Sequence, residues 1–411
     1  MIRNVLLLAV LCLLCAACSV QELVVAEETE LVVAVGTVDE AMLLDIGIVE
    51  FADGVPEGNN AQKTGIYGDI RRAESKYIPY HLKTTLQGTG HWGAVRVIPS
   101  TSAFTDVIIS GAIERSDGEY FALNISVSDA AGRHWFSRSY ETQTGMTSYS
   151  NRRDRRRDPY QKVFNDIAND LQLFAADLPQ KQLRRTRQIS ELQFFADMSP
   201  VAYEGYLETD KKGIVSVVRL PAENDPSVAR MRQIRERDRL VIDTLNEHYA
   251  NFYYGIAIPY RGWRKNARQE AIDYRQAKRS AQLQALIGVV VLAGSTQIDT
   301  SGSSSRNTNN INRALQYQGI SRGLNTIWAA INRNRDAGLH LDAIAELSES
   351  FGNEAAPMVV NIEGQERRLT GTAEAQYESW RRLLREIYEA DTGFTQPIEV
   401  GVPARAPEPT G

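Results

Sequence analysis

DVIISGAIERSDGEYFALNISVSDAAGRHWFSRSYET, residues 106–142, is the stretch on which the fold turns. Three runs rich in β-branched and aromatic residues follow one another: Asp106 to Arg115, Glu119 to Asp129, and His134 to Thr142. Ser116-Asp117-Gly118 separates the first two. Asp-Gly between strand-like runs marks a hairpin, because tight hairpin turns need residues that tolerate positive φ. Ala130 to Arg133 makes the second turn, and the whole reads as an antiparallel meander. Around Tyr120, Ala122, Leu123, Ile125 and Val127 the apolar positions alternate only in part, which predicts a sheet covered unevenly.

Upstream, Leu31 to Val35 and Ile46 to Phe51 are short β-branched runs and are expected to be strands. A helix is expected from about Gly68 to Gln87, with Pro79 either kinking it or opening a second segment. Gly88 and Gly90 stop it, and Ala94 to Ile98 is the next strand. Downstream, Tyr160 to Leu178 places Val163, Ile167, Leu171 and Phe174 on one helical stripe that can pack on the sheet. Residues 31–178 therefore predict an α/β sandwich-like domain with a mixed sheet.

The rest of the chain reads as mainly helical over 179–395, so the fold class is α+β. Leu183 to Leu207 suggests two short helices around Ser199-Pro200, and Gly213 to Leu220 a strand. Pro226 opens a helix to about Tyr249, and Asn251 to Tyr260 is aromatic-rich. A further helix is expected from Trp263 to Leu292, ending in the apolar collar Leu286, Ile287, Val289, Val290, Val291 and Leu292. A Ser/Thr/Asn-rich tip at 295–308 and a second helical arm from Ile311 to about Ser350 complete a predicted hairpin over about 263–350. Small residues (Ala281, Ala285 and Gly288 on one arm, Ala314, Gly319 and Gly323 on the other) allow close approach of two helices. The collar has two readings: a helix buried in the core, or a contact for a membrane interface or partner groove. Met358 to Ile362 and Arg367 to Thr370 flank Glu363-Gly364 as a β-hairpin. Thr372 to Glu389 is a last amphipathic helix with Tyr377, Trp380, Leu384 and Ile387 on one face. Residues 396–411 read as a Pro-rich tail.

Composition narrows the class. The 411 residues are 43% hydrophobic and 24% charged, which excludes a largely disordered chain. No apolar run approaches the ~20 residues that span a bilayer, which excludes a polytopic membrane protein. With 46 basic and 51 acidic residues the net charge is −5, so nucleic acid is not an expected partner.

The first residues carry an address. A cationic start at Arg3 precedes the apolar run Val5 to Leu14, the small residues Ala16-Ala17, and then Cys18, the anatomy of a secretory signal over 1–17. All three cysteines, Cys12, Cys15 and Cys18, lie in this segment, so no disulfide framework is expected in the folded part. The ending Cys15-Ala16-Ala17-Cys18 resembles the lipobox of bacterial lipoproteins. That resemblance implies a covalent lipid on Cys18, with Ser19 implying the outer membrane, and a tether over 18–30. An ordinary secretory cut after Ala17 is the alternative.

Strand Ile46 to Phe51, the strand Val95 to Ile98 after a helix, and Asp106 to Ile113 together resemble a group of periplasmic α/β lipoprotein domains. These are the curli-secretion lipoprotein family, the N-terminal part of the translocation protein TolB, and the lipoprotein activators of penicillin-binding proteins. The resemblance covers about residues 31–178 and implies a binding and assembly module. Activation of peptidoglycan synthesis is a second reading and a periplasmic hydrolase a third.

Searching for chemistry returns few candidates. Gly88-Thr-Gly90-His-Trp-Gly93 matches G-x-G-x-x-G, but it follows a helix and precedes a strand, the reverse of a phosphate cradle. It reads as a glycine-rich turn. His81, His91, His134, His248 and His340 are scattered, with no pair at metal-ligating spacing, and the carboxylates offer no selectable catalytic pair. No metal or cofactor is expected beyond the lipid on Cys18, and the chain is expected not to be an enzyme. Arg152, Arg153, Arg155, Arg156 and Arg157 form the densest charge cluster, which is either a solvated loop or a contact for phosphate and carboxylate groups. The expected partners are envelope proteins, the membrane through the lipid, and a second copy of the chain as an open option.

Overall fold

The computed structural model describes residues 28–40, 43–56, 66–99, 104–145, 147–150, 158–222, 224–294, 342–349, 358–362 and 365–392. Strand β1 (Ile46–Ile48) leads to helix α1 (Gly68–Thr89) and strand β2 (Val95–Val97). The meander follows as β3 (Val107–Ser116), β4 (Tyr120–Asp129) and β5 (His134–Gln143), then α2 (Gln161–Asp177) and α3 (Gln180–Met198). A short hairpin of β6 (Leu207–Thr209) and β7 (Val215–Val217) precedes the long helix α4 (Pro226–Gly294). Helix α5 spans residues 342–349, and β8 (Met358–Ile362), β9 (Gln365–Leu369) and α6 (Ala373–Thr392) end the described chain. The fold is α+β, as its composition of elements implied.

The five-stranded sheet has the order β2-β1-β3-β4-β5. β1 runs parallel to both neighbours, and β3, β4 and β5 are antiparallel. The Asp117-Gly118 turn forms as read: Gly118 has φ +83° and Asp117 Oδ1 accepts the amides of Glu119 and Tyr120. In one respect β4 corrects the expectation. Phe121, Leu123, Ile125, Val127 and Asp129 are all buried and the intervening residues only half-buried, so the alternation is complete. Short polar residues such as Asn124 and Ser126 on the open face had blurred it. α1 and α2 share the core on the buried face, through Ile70, Ala73, Tyr77, Leu82 and Leu86 of α1 and Val163, Phe164, Ile167 and Leu171 of α2.

Pro79 does not end α1. Proline removes the amide that would bond the carbonyl four residues back, and that carbonyl, on Ser75, instead accepts the Phe51 amide at 3.0 Å. The helix thereby docks the chain leaving β1. Gly90, with φ +70°, caps its C-terminus.

Three expectations are overturned. Leu31 to Val35 is not a strand: Val32, Val33 and Val35 are 47%, 52% and 102% exposed. The segment is tied to helices instead, by Val32 N to Asn169 Oδ1 (2.9 Å), by Asn165 Nδ2 to Thr29 O (2.7 Å) and by Ala34 N to Thr89 O (2.8 Å). The two helices expected around Ser199-Pro200 are one, α3, followed by turns. The separate helices expected before and after Asn251 to Tyr260 are a single 69-residue helix, about 100 Å long at 1.5 Å per residue. Pro259 lies inside it, and the carbonyl it frees belongs to exposed Gly255, where water can satisfy it.

α4 serves two cores. Val228, Met231, Ile234, Val241, Ile242 and Leu245 join α3 and α6 in one cluster, and Tyr249, Phe252, Ile256, Tyr260 and Trp263 join the sheet core in the other. α6 presents Tyr377, Trp380, Leu384 and Ile387 to the first cluster, as its periodicity predicted. The arm expected over 311–350 lies outside the described residues except for α5, whose Ile344 is fully buried in the sheet core. The tip at 295–308 and the tail at 396–411 also lie outside them.

Candidate functional site

The chemistry of the described chain gathers where α4 meets the sheet, at two stations. The first lies at the start of β1 and β3. Asp106, buried before β3, accepts the Asp45 amide (2.9 Å) and the Ser190 hydroxyl (2.6 Å). Arg235 of α4 reaches the same hydroxyl at 2.8 Å, so the carboxylate and the guanidinium communicate through Ser190. Burial pushes Asp106 up and Arg235 down, each toward its neutral form. Arg239 pairs with Asp45 at 2.8 Å. About two turns further on, Asn246 accepts the Val97 amide and donates to the Val97 carbonyl, both at 2.9 Å.

The second station lies at the β3–β4 hairpin tip. Arg264 of α4 grips Asp158 with two hydrogen bonds, of 2.9 and 2.8 Å. Their side chains are 3% and 7% exposed, and the guanidinium lies over the rings of Tyr260 (4.3 Å) and Tyr160 (4.9 Å). Burial alone would raise Asp158, but the Arg264 charge and the bonds from Arg264 and the Tyr160 amide outweigh it. They hold the carboxyl well below its usual range. Arg264 is opposed by burial in the same way and is held firmly charged by Asp158.

Around this pair the contacts close in. Glu74 of α1 accepts the Tyr260 hydroxyl at 2.6 Å and the Ser116 hydroxyl, and burial raises it despite Arg71 alongside. His81 Nε2 lies 3.0 Å from Gln161 Oε1 and Nδ1 lies 2.7 Å from the Tyr253 hydroxyl. That arrangement suits a neutral ring protonated at Nε2, and burial lowers its affinity for a second proton. Gly118 completes the joint: a Cβ there would sit 2.2 Å from the Arg264 carbonyl oxygen, and its φ is positive, so only glycine lets the tip touch the helix. Asp158, Arg264, Glu74 and His81 are all buried, so this station positions α4 on the sheet.

Between the stations an open cleft of about 240 Å³ lies between α1, α4 and the edge strand β2. Tyr80, Lys83, Arg96, Asp243, Asn246 and Glu247 are among its lining residues. Arg96 is bidentate to Asp243 at 2.6 and 2.9 Å, and Lys83 reaches Gln87 at 3.1 Å and lies over the Tyr80 ring. Steps of four residues along α4 lead from Ala250 in the cleft to Tyr254 and Ile258, which are 67% and 81% exposed. The polar groove thus continues into an exposed apolar pair on α4.

The residues singled out in the sequence are not brought together here. Cys18 and Arg152, Arg153, Arg155, Arg156 and Arg157 lie outside the described residues; Asp158, the next in line, turns inward to Arg264. Leu286, Ile287, Val289, Val290, Val291 and Leu292 belong to the last turns of α4, and their side chains lie outside the described residues. Asp166 and Asp170, one turn apart on α2, are half-buried and each is paired with a cation, Lys162 (2.8 Å) and Arg138. The glycine-rich run after α1 is a turn into β2. Sequence reasoning missed Asp158–Arg264, which joins residues 106 positions apart, and no local signal marked it.

Among the described residues no group of three or more His, Cys, Asp or Glu is placed to hold a metal ion, and no helix is long and apolar enough to cross a membrane. Comparison with family models, with curated proteins and with solved structures returned no match for the chain.

Proposed function

We propose that this chain is a binding or assembly factor of a bacterial envelope complex, without a catalytic role of its own. It is anchored to the outer membrane through lipid on Cys18 and faces the periplasm. The signal-like residues 1–17 and the Cys15-Ala16-Ala17-Cys18 ending support the address. One observation carries the rest: α4 is a single helix fastened to the sheet at two stations and continuing as helix for 30 residues past Arg264, a further 45 Å or so. Such a strut passes the position of a folded platform to whatever its far end touches. Exposed Tyr254 and Ile258 supply apolar surface on the platform itself, and the apolar sequence of residues 285–293 falls in the last turns of the strut.

In-cell photocrosslinking from Tyr254, Leu286 and Val290, read by mass spectrometry, tests the proposal in the lipid-labelled wild type and in Cys18→Ala. The expected result is a discrete envelope-protein adduct that weakens in C18A, together with loss of palmitate incorporation. Adducts confined to the chain itself, or labelling that persists in C18A, would contradict it.

A further inference from the structure

The two edges of the five-stranded sheet are finished differently. At the β2 edge the Ala94 carbonyl and the Ile98 amide bond toward β1, so Val95 and Val97 turn their backbone groups outward. β2 is only three residues long, and Asn246 occupies both outward groups of Val97. A strand cannot add there without displacing α4.

The β5 edge has no such closure among the described residues. β5 is ten residues long and holds no proline. Thr144 N bonds Glu119 O at 2.8 Å, and with the register Phe121↔Thr142, Leu123↔Tyr140 and Ile125↔Arg138 this sets the even-numbered residues facing β4. The amides and carbonyls of Ser137, Ser139 and Glu141 therefore point away from the sheet, and all three residues are exposed. Long open edges are what soluble chains normally blunt.

We propose that β5 is a self-association edge that pairs antiparallel with β5 of a second copy, about a two-fold axis at Ser139. The pattern is self-complementary. With Ser139 opposite Ser139 and Ser137 opposite Glu141, all three outward residues of each copy are paired, in about six hydrogen bonds. On the face covered by α2, Arg138 then lies opposite Tyr140 of the other copy, a favourable cation–aromatic neighbour. No like charges stand directly opposite, whereas centring the axis on Arg138 would oppose two guanidinium groups. Arg138 is already held by Asp170 of α2. Leu173, one turn along the same flank of α2 and 60% exposed, offers the incoming strand an apolar neighbour.

Cysteine crosslinking in the full chain, expressed in the envelope and run on non-reducing gels, tests the axis. Ser139→Cys is expected to give a disulfide-linked dimer. Ser137→Cys alone is expected to give none, because its counterpart lies four residues away along the strand, roughly 14 Å. The double variant S137C/E141C should restore the dimer. Glu141→Pro placed in S139C removes an outward amide that β4 does not use, so the thermal melt is unchanged and the crosslinked fraction falls about tenfold. Failure of S139C to crosslink, equal crosslinking of S137C, or an adduct whose mass is that of another protein would each overturn the proposal.

Discussion

The two stations that hold α4 use the same residue types to opposite electrostatic effect. At the first, Asp106 and Arg235 are both buried, share a hydroxyl, and are both driven toward neutrality. At the second, Asp158 and Arg264 are equally buried but touch directly through two bonds, and both are driven toward full charge. Direct bidentate contact is the difference. Burial taxes every ion, and only a partner at hydrogen-bond distance overcomes the penalty. The second station is therefore the one whose loss the fold feels most.

The contrast gives an ordered set of expectations for the protein's stability. Arg264→Met should destabilise by about 3–5 kcal/mol in chemical unfolding, because it strands a buried carboxylate. Its signature is in the pH dependence. Wild-type Asp158, depressed in the fold, contributes stability above the unfolded carboxylate range, lost on acidification. In R264M the unpaired group is raised instead, so the deficit shrinks as pH falls from 7 toward 4. Arg235→Met should cost only about 1 kcal/mol, since Ser190 keeps its bond to Asp106 and a poorly compensated cation leaves the interior. A larger loss than in R264M would reverse the comparison. Beyond both stations the effect is smaller and of opposite sign. Glu270, raised to about 7 by burial and by Asp273, binds more protons folded than unfolded below that pH, so it removes stability as pH rises. Glu270→Gln should raise Tm by ~1–2 °C at pH 8 and leave it unchanged at pH 4.5; a gain at both pH values would point to packing instead.

The sequence made some of this legible for identifiable reasons. The meander, α1, α2, the β8–β9 hairpin and α6 each carry a local signal: Asp117-Gly118, a capping glycine, or a clean apolar stripe. α4 was misread because Asn251 to Tyr260 combines aromatic and β-branched residues with Pro259, which locally argue against helix. Burial of Phe252, Ile256 and Tyr260 against the sheet core overrides that preference. Leu31 to Val35 failed the other way: it has strand propensity, but the Val32 and Ala34 amides are taken by Asn169 of α2 and by the Thr89 carbonyl of α1 instead of by a strand. The stations were invisible because each joins residues remote in sequence, and neither Asp158 nor Arg264 differs locally from its charged neighbours.

Hydrogen exchange read by mass spectrometry, in the wild type and in R264M, tests the two-station account most directly. In the wild type, residues 253–264 should exchange as slowly as β3 and β4. In R264M, that stretch and the hairpin tip at 117–120 should accelerate together while 231–245 keep their protection. Rapid exchange over 253–264 in the wild type, or an unchanged hairpin tip in R264M, would contradict the claim that Arg264 fastens the helix to the sheet.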